Sequence, residues 1–151
     1  MLALLVVLGL STAVGLLWRR ADGRLRPVPA AAVAVAPGTD PPAPAPDPAT
    51  VAVLADLGVD PGAARVTLVQ FSTAFCQPCR ATRRILDQVV TRLPAVRHVE
   101  VDAESHLDAV RELNILRVPT VLVVDGAGRV VTRASGQPRM ADVVAAVAPY
   151  L

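Results

Sequence analysis

The sequence predicts an α/β domain in which helices flank a central mixed sheet, preceded by one N-terminal transmembrane helix. Three observations lead to this prediction. The first eighteen residues carry no charged side chain, and residues 27–48 are rich in proline and alanine. Beyond them, apolar segments with strand-like and helix-like spacing alternate along the chain. We therefore divide the chain into an anchor at 1–18, a linker at 19–47 and a globular domain at 48–151.

The N-terminal segment has the composition of a membrane anchor. Residues 1–18 are mostly Leu, Val, Ala and Gly, and at about 1.5 Å per residue a helix of this length reaches roughly 25 Å, near the short end for a membrane span. Trp18 at its end suits the membrane interface. No positive charge precedes the apolar run, which is also longer than the core of a typical secretory signal. These features favour an uncleaved anchor.

The charges that follow the anchor bear on its orientation. Arg19, Arg20, Arg24 and Arg26 come directly after the apolar run. Because positive charge beside a span tends to stay in the cytoplasm, we expect a single-pass protein of the cell membrane with its globular domain on the cytoplasmic side. The opposite orientation, with the domain on the extracytoplasmic side, stays open. All fifteen basic residues are arginine, which indicates a GC-rich bacterial genome.

The linker at 19–47 starts with these arginines and continues as a proline- and alanine-rich segment. Proline donates no backbone hydrogen bond and biases its neighbours towards extended conformations. We interpret the segment as a semi-rigid spacer, about 3 Å long per residue where it is polyproline-like, that holds the domain away from the membrane.

The domain itself begins with a helix for which Asp47 is the predicted N-cap and Pro48 the first residue, ending near Gly58. Four strands and three helices are predicted after it from the spacing of apolar residues. The strands are at 66–71, 96–101, 121–124 and 129–133, and the helices at 77–93, 106–113 and 140–150. A turn sequence at 125–128 makes the last two strands a hairpin. The order is β-α-β-α-β-β-α, with the extra helix before it.

Cys76 and Cys79 are the only cysteines of the chain. They follow a predicted strand and open a predicted helix, so their sulfurs lie one helical turn apart with the first at a helix N-terminus. The first N–H groups of a helix and its dipole stabilise a thiolate, which is the reactive form of cysteine. Spacing and position together predict thiol–disulfide exchange.

This arrangement resembles the thioredoxin family over about residues 48–151. The resemblance rests on the element order, on the two cysteines at the first strand-to-helix junction and on Val-Pro-Thr at 118–120 before the hairpin. It implies a thioredoxin-like fold and the activity of a protein-disulfide reductase or related thiol–disulfide oxidoreductase. Cys76 would be the nucleophile and Cys79 the resolving cysteine. A cis peptide bond is implied before Pro119, beside the two sulfurs.

The resemblance also implies which residues contact a substrate. An extended segment that lacks one N–H leaves room for a substrate strand to pair with it, so Val118 and Pro119 are expected substrate contacts. The residues beside the nucleophile complete the expected set: Phe75, Gln77 and Pro78.

Three positions depart from the family pattern. The family often has an acidic residue six positions before the first cysteine, where it would help to deprotonate the second thiol; here that position is Gln70. The usual Trp-Ala-x-Trp is Ser-Thr-Ala-Phe at 72–75, and the common glycine after the first cysteine is Gln77. The differences predict exchange that is slower or depends on another base, and a dedicated partner in place of a broad substrate range.

Three different functions compete with this one. A zinc site would combine the two cysteines with His98 and His106, but the histidines stand further apart than the ~3–5 residues usual for zinc ligands. We therefore predict no metal and interpret both histidines as surface residues. A non-catalytic thioredoxin-fold interaction module would keep the fold without the exchange. An exported-side thiol reductase for cytochrome maturation would use the same chemistry in another compartment.

The expected cofactors and partners follow from this chemistry. We expect no cofactor besides the redox-active Cys76–Cys79 disulfide. The expected partners are protein thiols or disulfides, an upstream electron donor, and a membrane through the N-terminal helix. A net charge of +2 without aromatic–basic interleaving indicates no binding to nucleic acid.

Overall fold

Five strands form one mixed sheet in the structure, a computed structural model that describes residues 2–21, 23–28 and 45–151. β2 and β3 pair in parallel, and the other neighbouring strands are antiparallel. The strands are β1 (Leu25–Pro27), β2 (Val66–Ser72), β3 (Val96–Asp102), β4 (Thr120–Asp125) and β5 (Val130–Ser135). Their order across the sheet is β1-β5-β4-β2-β3. The predicted mixed sheet is thus confirmed, with one additional strand.

The predicted helices are present with ends that shift by a few residues. They are α1 (Leu2–Ala21), α2 (Pro48–Asp56), α3 (Gln77–Arg92), α4 (Leu107–Glu112) and α5 (Met140–Val147). The Asp47 side chain caps α2 by accepting a hydrogen bond from the Thr50 N–H at 3.1 Å, as predicted. The last predicted helix closes with a 3-10 turn at Ala148–Tyr150, where Pro149 has no N–H to extend the α-helical ladder.

The two faces of the sheet pack against different helices. Side chains of β2 alternate between the faces, so that Val66 and Leu68 belong to one core cluster and Val69 and Phe71 to another. The first cluster also contains residues of α3 and α5, and we call that side the α3 face. The second contains residues of α2 and of the segment around α4, and we call it the α2 face.

β1 lies inside the segment that the sequence predicts to be linker. It is an edge strand, with Leu25 opposite Ala134 and Pro27 opposite Thr132 on β5. Three residues that end in proline show no strand-like period, and an edge is where a strand tolerates the missing N–H. The backbone N–H of Gly23 leads into it by donating to the Ser135 carbonyl at 2.9 Å. Residues 29–44 of the predicted linker lie outside the described residues.

α1 covers the segment predicted to span a membrane. The side chains described for it, at residues 6–16, are exposed. In the part of the chain that the structure describes, no helix is both long enough and apolar enough to cross a membrane. The N-terminal helix is therefore present, whereas the predicted membrane span is not found.

Candidate active site

The two cysteines lie where β2 passes into α3. β2 is buried along its whole length, and a short loop leads from Ser72 to Gln77, the first residue of α3. The N–H of Cys76 donates to the Thr73 carbonyl at 3.3 Å and closes this loop. Cys76 is the N-cap of α3, so its sulfur lies at the positive end of the helix dipole.

Cys76 and Cys79 form a disulfide with an S–S distance of 2.04 Å and a Cα–Cα distance of 5.2 Å. The backbone N–H of Cys79 donates to Sγ of Cys76 at 3.1 Å. Cys76 is half-buried, whereas only 2% of Cys79 is exposed. A sulfur of another protein can therefore approach Cys76, whereas Cys79 lies buried one helical turn further along α3. A helix-cap sulfur that already accepts an N–H bond is placed to be stabilised as a thiolate.

The peptide bond between Val118 and Pro119 is cis, as the family resemblance implies. Thr120 follows and pairs with Phe71 across β4 and β2, so Pro119 reaches the same end of the sheet as the cysteine loop. The Pro119 carbonyl accepts the Gly136 N–H at 2.7 Å. The structure therefore places Val118 and Pro119 at the end of the sheet where the disulfide lies.

Two arginines fix the segment that leads to Pro119. Arg117 donates from Nη2 to the Ser135 carbonyl at 2.7 Å. Arg133 on β5 donates to the carbonyls of Asn114 at 2.9 Å and Leu113 at 2.6 Å, just beyond the end of α4. Burial lowers the pKa of Arg133 from its ordinary value. Side-chain hydrogen bonds to and from β5 therefore hold the segment at 113–119 against the sheet, which is a rigid element.

Exposed residues surround the site, and we call them the rim: Phe75, Gln77, Pro78 and Leu116. Phe75 is 98% exposed just before Cys76, and Gln77 and Pro78 are exposed just after it. Leu116, which sequence reasoning missed, is 86% exposed three residues before Pro119. The signal that could have identified it is an isolated leucine between the end of a helix and Val-Pro-Thr, outside any strand or helix period. A substrate could cover the exposed apolar side chains of Phe75 and Leu116.

A polar cluster lies beneath Cys79 on the α3 face, made of Gln70, Ser72, Arg83 and Glu100; we call it the Glu100 cluster. The fully buried Gln70 donates from Nε2 to the Cys79 carbonyl at 3.0 Å and to Oε1 of Glu100 at 3.5 Å. Ser72 Oγ donates to the same carboxylate oxygen at 2.8 Å. Arg83 pairs with Oε2 of Glu100 at 2.5 Å, and this hydrogen bond raises the pKa of Arg83.

Sequence reasoning missed Glu100 because its place depends on strand register. The parallel pairing of β2 and β3 sets Gln70 directly beside Glu100. The chain therefore has a carboxylate one strand away from the position at which the family often has its acid. Alternation along β3 places Glu100 on the same face as the core residue Val96, a signal that becomes useful once the register is known.

The two histidines do not converge on the cysteines. Nδ1 of His98 lies 2.9 Å from Asp87 Oδ1, and Nδ1 of His106 lies 3.0 Å from the Asp102 carbonyl. Within the described residues, no group of three or more His, Cys, Asp or Glu side chains could hold a metal ion. The prediction that both are surface residues is confirmed for His106 and wrong for His98, whose side chain is 10% exposed, because α3 packs over that part of β3.

Comparison with known proteins agrees with the geometry. The thioredoxin family profile matches residues 59–148, and no curated protein sequence matches significantly. Among solved structures, a mutant thioredoxin from Halobacterium salinarum superposes with a TM-score of 0.57 at 16% identity, over 64% of this chain and 81% of that one.

Two further thioredoxins are similar in structure. Fasciola hepatica thioredoxin gives a TM-score of 0.54 at 20% identity, over 66% of this chain and 89% of its own. Oxidised mitochondrial thioredoxin 3 from Saccharomyces cerevisiae gives 0.52 at 18% identity, over 58% and 81%. At these identities the likenesses establish the fold.

The family match covers the whole of the candidate site. It extends over more than half of the chain and includes both cysteines, Pro119 and all of β2 to β5. Together with the disulfide between Cys76 and Cys79, it supports the activity of a thiol–disulfide oxidoreductase. The chain belongs to the thioredoxin family.

Proposed function

We propose that the protein exchanges electrons with disulfides of other proteins, with Cys76 as the nucleophile and Cys79 as the resolving cysteine. One observation carries this assignment of roles. Sγ of Cys76 accepts the Cys79 N–H at the start of α3 and is half-buried, whereas Cys79 is almost fully buried. The sulfur that is both reachable and stabilised as a thiolate attacks first.

The reaction consists of two exchanges. The Cys76 thiolate attacks one sulfur of the substrate disulfide, forms a mixed disulfide and releases the other substrate sulfur as a thiolate. Cys79 then loses its proton and attacks Sγ of Cys76, which closes the Cys76–Cys79 disulfide and releases the second substrate thiolate. The substrate gains two electrons and two protons. An upstream dithiol of lower potential must reduce the pair again.

The rim supports a substrate that is an extended, apolar polypeptide segment. Within the described residues, the backbone of Val118 makes no hydrogen bond to another backbone group, so a substrate strand can pair with it. Phe75 and Leu116 offer apolar surface to the substrate's side chains. We propose Val118 and Pro119 as backbone-side contacts and Phe75, Gln77 and Pro78 as contacts around the nucleophile.

Trapping tests the assignment directly. In Cys79→Ser the resolving step is removed, so Cys76 should remain joined to its substrates as mixed disulfides that appear on non-reducing gels and disappear with dithiothreitol. Cys76→Ser is the matched control and should trap far less. Equal trapping by both variants would contradict the roles, and trapping by neither would favour the non-catalytic interaction module.

We propose in addition that the domain is tethered to a membrane by its N-terminal helix, with its redox site on the cytoplasmic side. This proposal rests on the uncharged run at 1–18, on the arginines that follow it and on the exposed apolar side chains of α1. The test is carbonate extraction of membranes, followed by a compartment-sensitive reporter fused after Leu151. Release by carbonate would refute the tether. A reporter active on the exported side would favour the exported-side reductase.

A further inference from the structure

The resolving step requires a buried thiol to lose a proton. Cys79 is 2% exposed, and burial disfavours the thiolate form. Gln70, whose amide contacts the Cys79 carbonyl, cannot accept a proton. We infer that the Glu100 carboxylate accepts the Cys79 proton, through water in the cleft that both residues line. The inference rests on the proposed function and names a residue that this function requires.

The geometry places Glu100 within reach. A single atom, Nε2 of Gln70, contacts both the Cys79 carbonyl at 3.0 Å and Oε1 of Glu100 at 3.5 Å. Cys79 and Glu100 line one open cleft of about 410 Å³. At about 30 Å³ per molecule this cleft has room for several waters. The Glu100 side chain is 23% exposed, so a proton that it accepts can pass on to solvent.

The groups around Glu100 hold its carboxylate in place beside the cleft. Ser72 donates a hydrogen bond to Oε1 of the carboxylate and Arg83 pairs with Oε2, which fixes its orientation. The polar groups around it come from three elements: Arg80 and Arg83 on α3, Gln70 and Ser72 on β2, and His98 and Asp102 on β3 itself. Asp87 already engages His98, and Asp102 binds the loop that follows β3.

The proton step then balances with the exchange. The Cys79 thiol gives its proton to water, water gives one to the Glu100 carboxylate, and the Cys79 thiolate attacks Sγ of Cys76. The substrate thiolate leaves with the electron pair of the broken S–S bond. Glu100 afterwards returns its proton to solvent. In the opposite direction, the protonated carboxyl supplies a proton to the Cys79 thiolate as the disulfide opens.

Stopped-flow exchange with a small disulfide-bonded protein tests the inference with Glu100→Gln. The rate at which Cys76 forms the mixed disulfide should stay within about twofold of wild type. The rate of resolution by Cys79 should fall by about tenfold or more near pH 7. General acid–base catalysis typically contributes about 10²–10⁴-fold, so tenfold is a conservative lower bound. Glu104→Gln, which removes an exposed carboxylate just beyond β3, is the matched control and should resolve at the wild-type rate.

The pH profile separates proton transfer from a structural role. The deficit of Glu100→Gln should shrink as the pH rises, because the Cys79 thiol then ionises without help. A deficit that is constant with pH, or no deficit at all, would overturn the inference.

Two further measurements keep the outcomes distinct. If Glu100→Gln does not fold, Glu100→Asp retains the carboxylate with a shorter reach and should show a smaller deficit with a wild-type pH profile; a profile of any other shape would count against the inference. If the wild-type protein itself transfers no electrons, the proposed function fails, and this result is separate from an active wild type that is indifferent to Glu100.

Discussion

The two faces of the sheet differ most at the end where the cysteines lie. On the α2 face, Val69, Phe71, Val101 and Leu122 are buried in one apolar cluster. On the α3 face, the apolar start of β2 gives way to the Glu100 cluster. A single strand supplies both surfaces, because its side chains alternate between them.

The buried residues of the two faces therefore have different roles. Those of the α2 face stabilise the fold, and those of the α3 face near Cys79 include the polar groups of the candidate site. The cluster on the α2 face consists of buried apolar side chains, whose removal from water stabilises the fold. The α3 face gives up this gain near Cys79. There Gln70 is fully buried, and its Oε1 has no hydrogen-bond partner among the described residues. An unpaired buried acceptor costs free energy, so we expect substitutions on the two faces to have different consequences.

The largest effect on stability is expected from Phe71→Ala on the α2 face. Phe71 is fully buried, so its removal should lower the free energy of unfolding by about 3–5 kcal/mol through lost burial and the cavity that it leaves. Urea denaturation measures this change. The exposed Leu116→Ala serves as control and should lie within about 0.5 kcal/mol of wild type. A loss below about 1 kcal/mol for Phe71→Ala would mean that this face does not dominate stability.

A smaller effect is expected from Ser72→Ala on the α3 face. This substitution removes the hydroxyl that donates to Glu100 at 2.8 Å. Since Arg83 still binds the carboxylate, the free energy of unfolding should fall by about 1 kcal/mol. The same urea titration measures it. A loss as large as that of Phe71→Ala would remove the distinction between the faces.

Of the three buried positions compared, Phe71, Ser72 and Gln70, we expect Gln70→Leu to change stability least. It keeps a side chain of similar size and removes the partnerless Oε1, while the Cys79 carbonyl and the Glu100 carboxylate each lose one donor. The two effects oppose each other, so we expect a change within about 1 kcal/mol in either direction. Thermal unfolding in parallel with wild type measures this difference. A loss above about 3 kcal/mol would show that Gln70 is a structural requirement of the fold.

Leu116→Ser tests the rim and should leave stability unchanged within about 0.5 kcal/mol. Its expected effect is on the substrate: KM for a protein disulfide should rise severalfold, whereas the rate with a small aromatic disulfide should stay the same. Unchanged kinetics with both substrates would remove Leu116 from the substrate surface.

Most of the fold could be predicted from the sequence because its signals are local. Periodic apolar residues indicate the type of each long element, and Cys76-x-x-Cys79 locates the junction on its own. β1 could not be predicted, since its three residues form a strand only through their pairing with β5. Glu100 and His98 could not be placed either, because their surroundings depend on the register of β2 and β3 and on how α3 covers it.

Electron transfer from the reduced Cys76–Cys79 pair to a protein disulfide is the reaction that the proposed function requires. The full chain is reduced, freed of reductant and mixed with an equimolar disulfide-bonded protein, and thiols on both partners are counted by alkylation and mass spectrometry. We expect Cys76 and Cys79 to lose their two thiols together as the substrate gains two, with no net transfer in Cys76→Ser. A pair that stays reduced while dithiothreitol readily reduces the same substrate would contradict the proposed thiol–disulfide exchange.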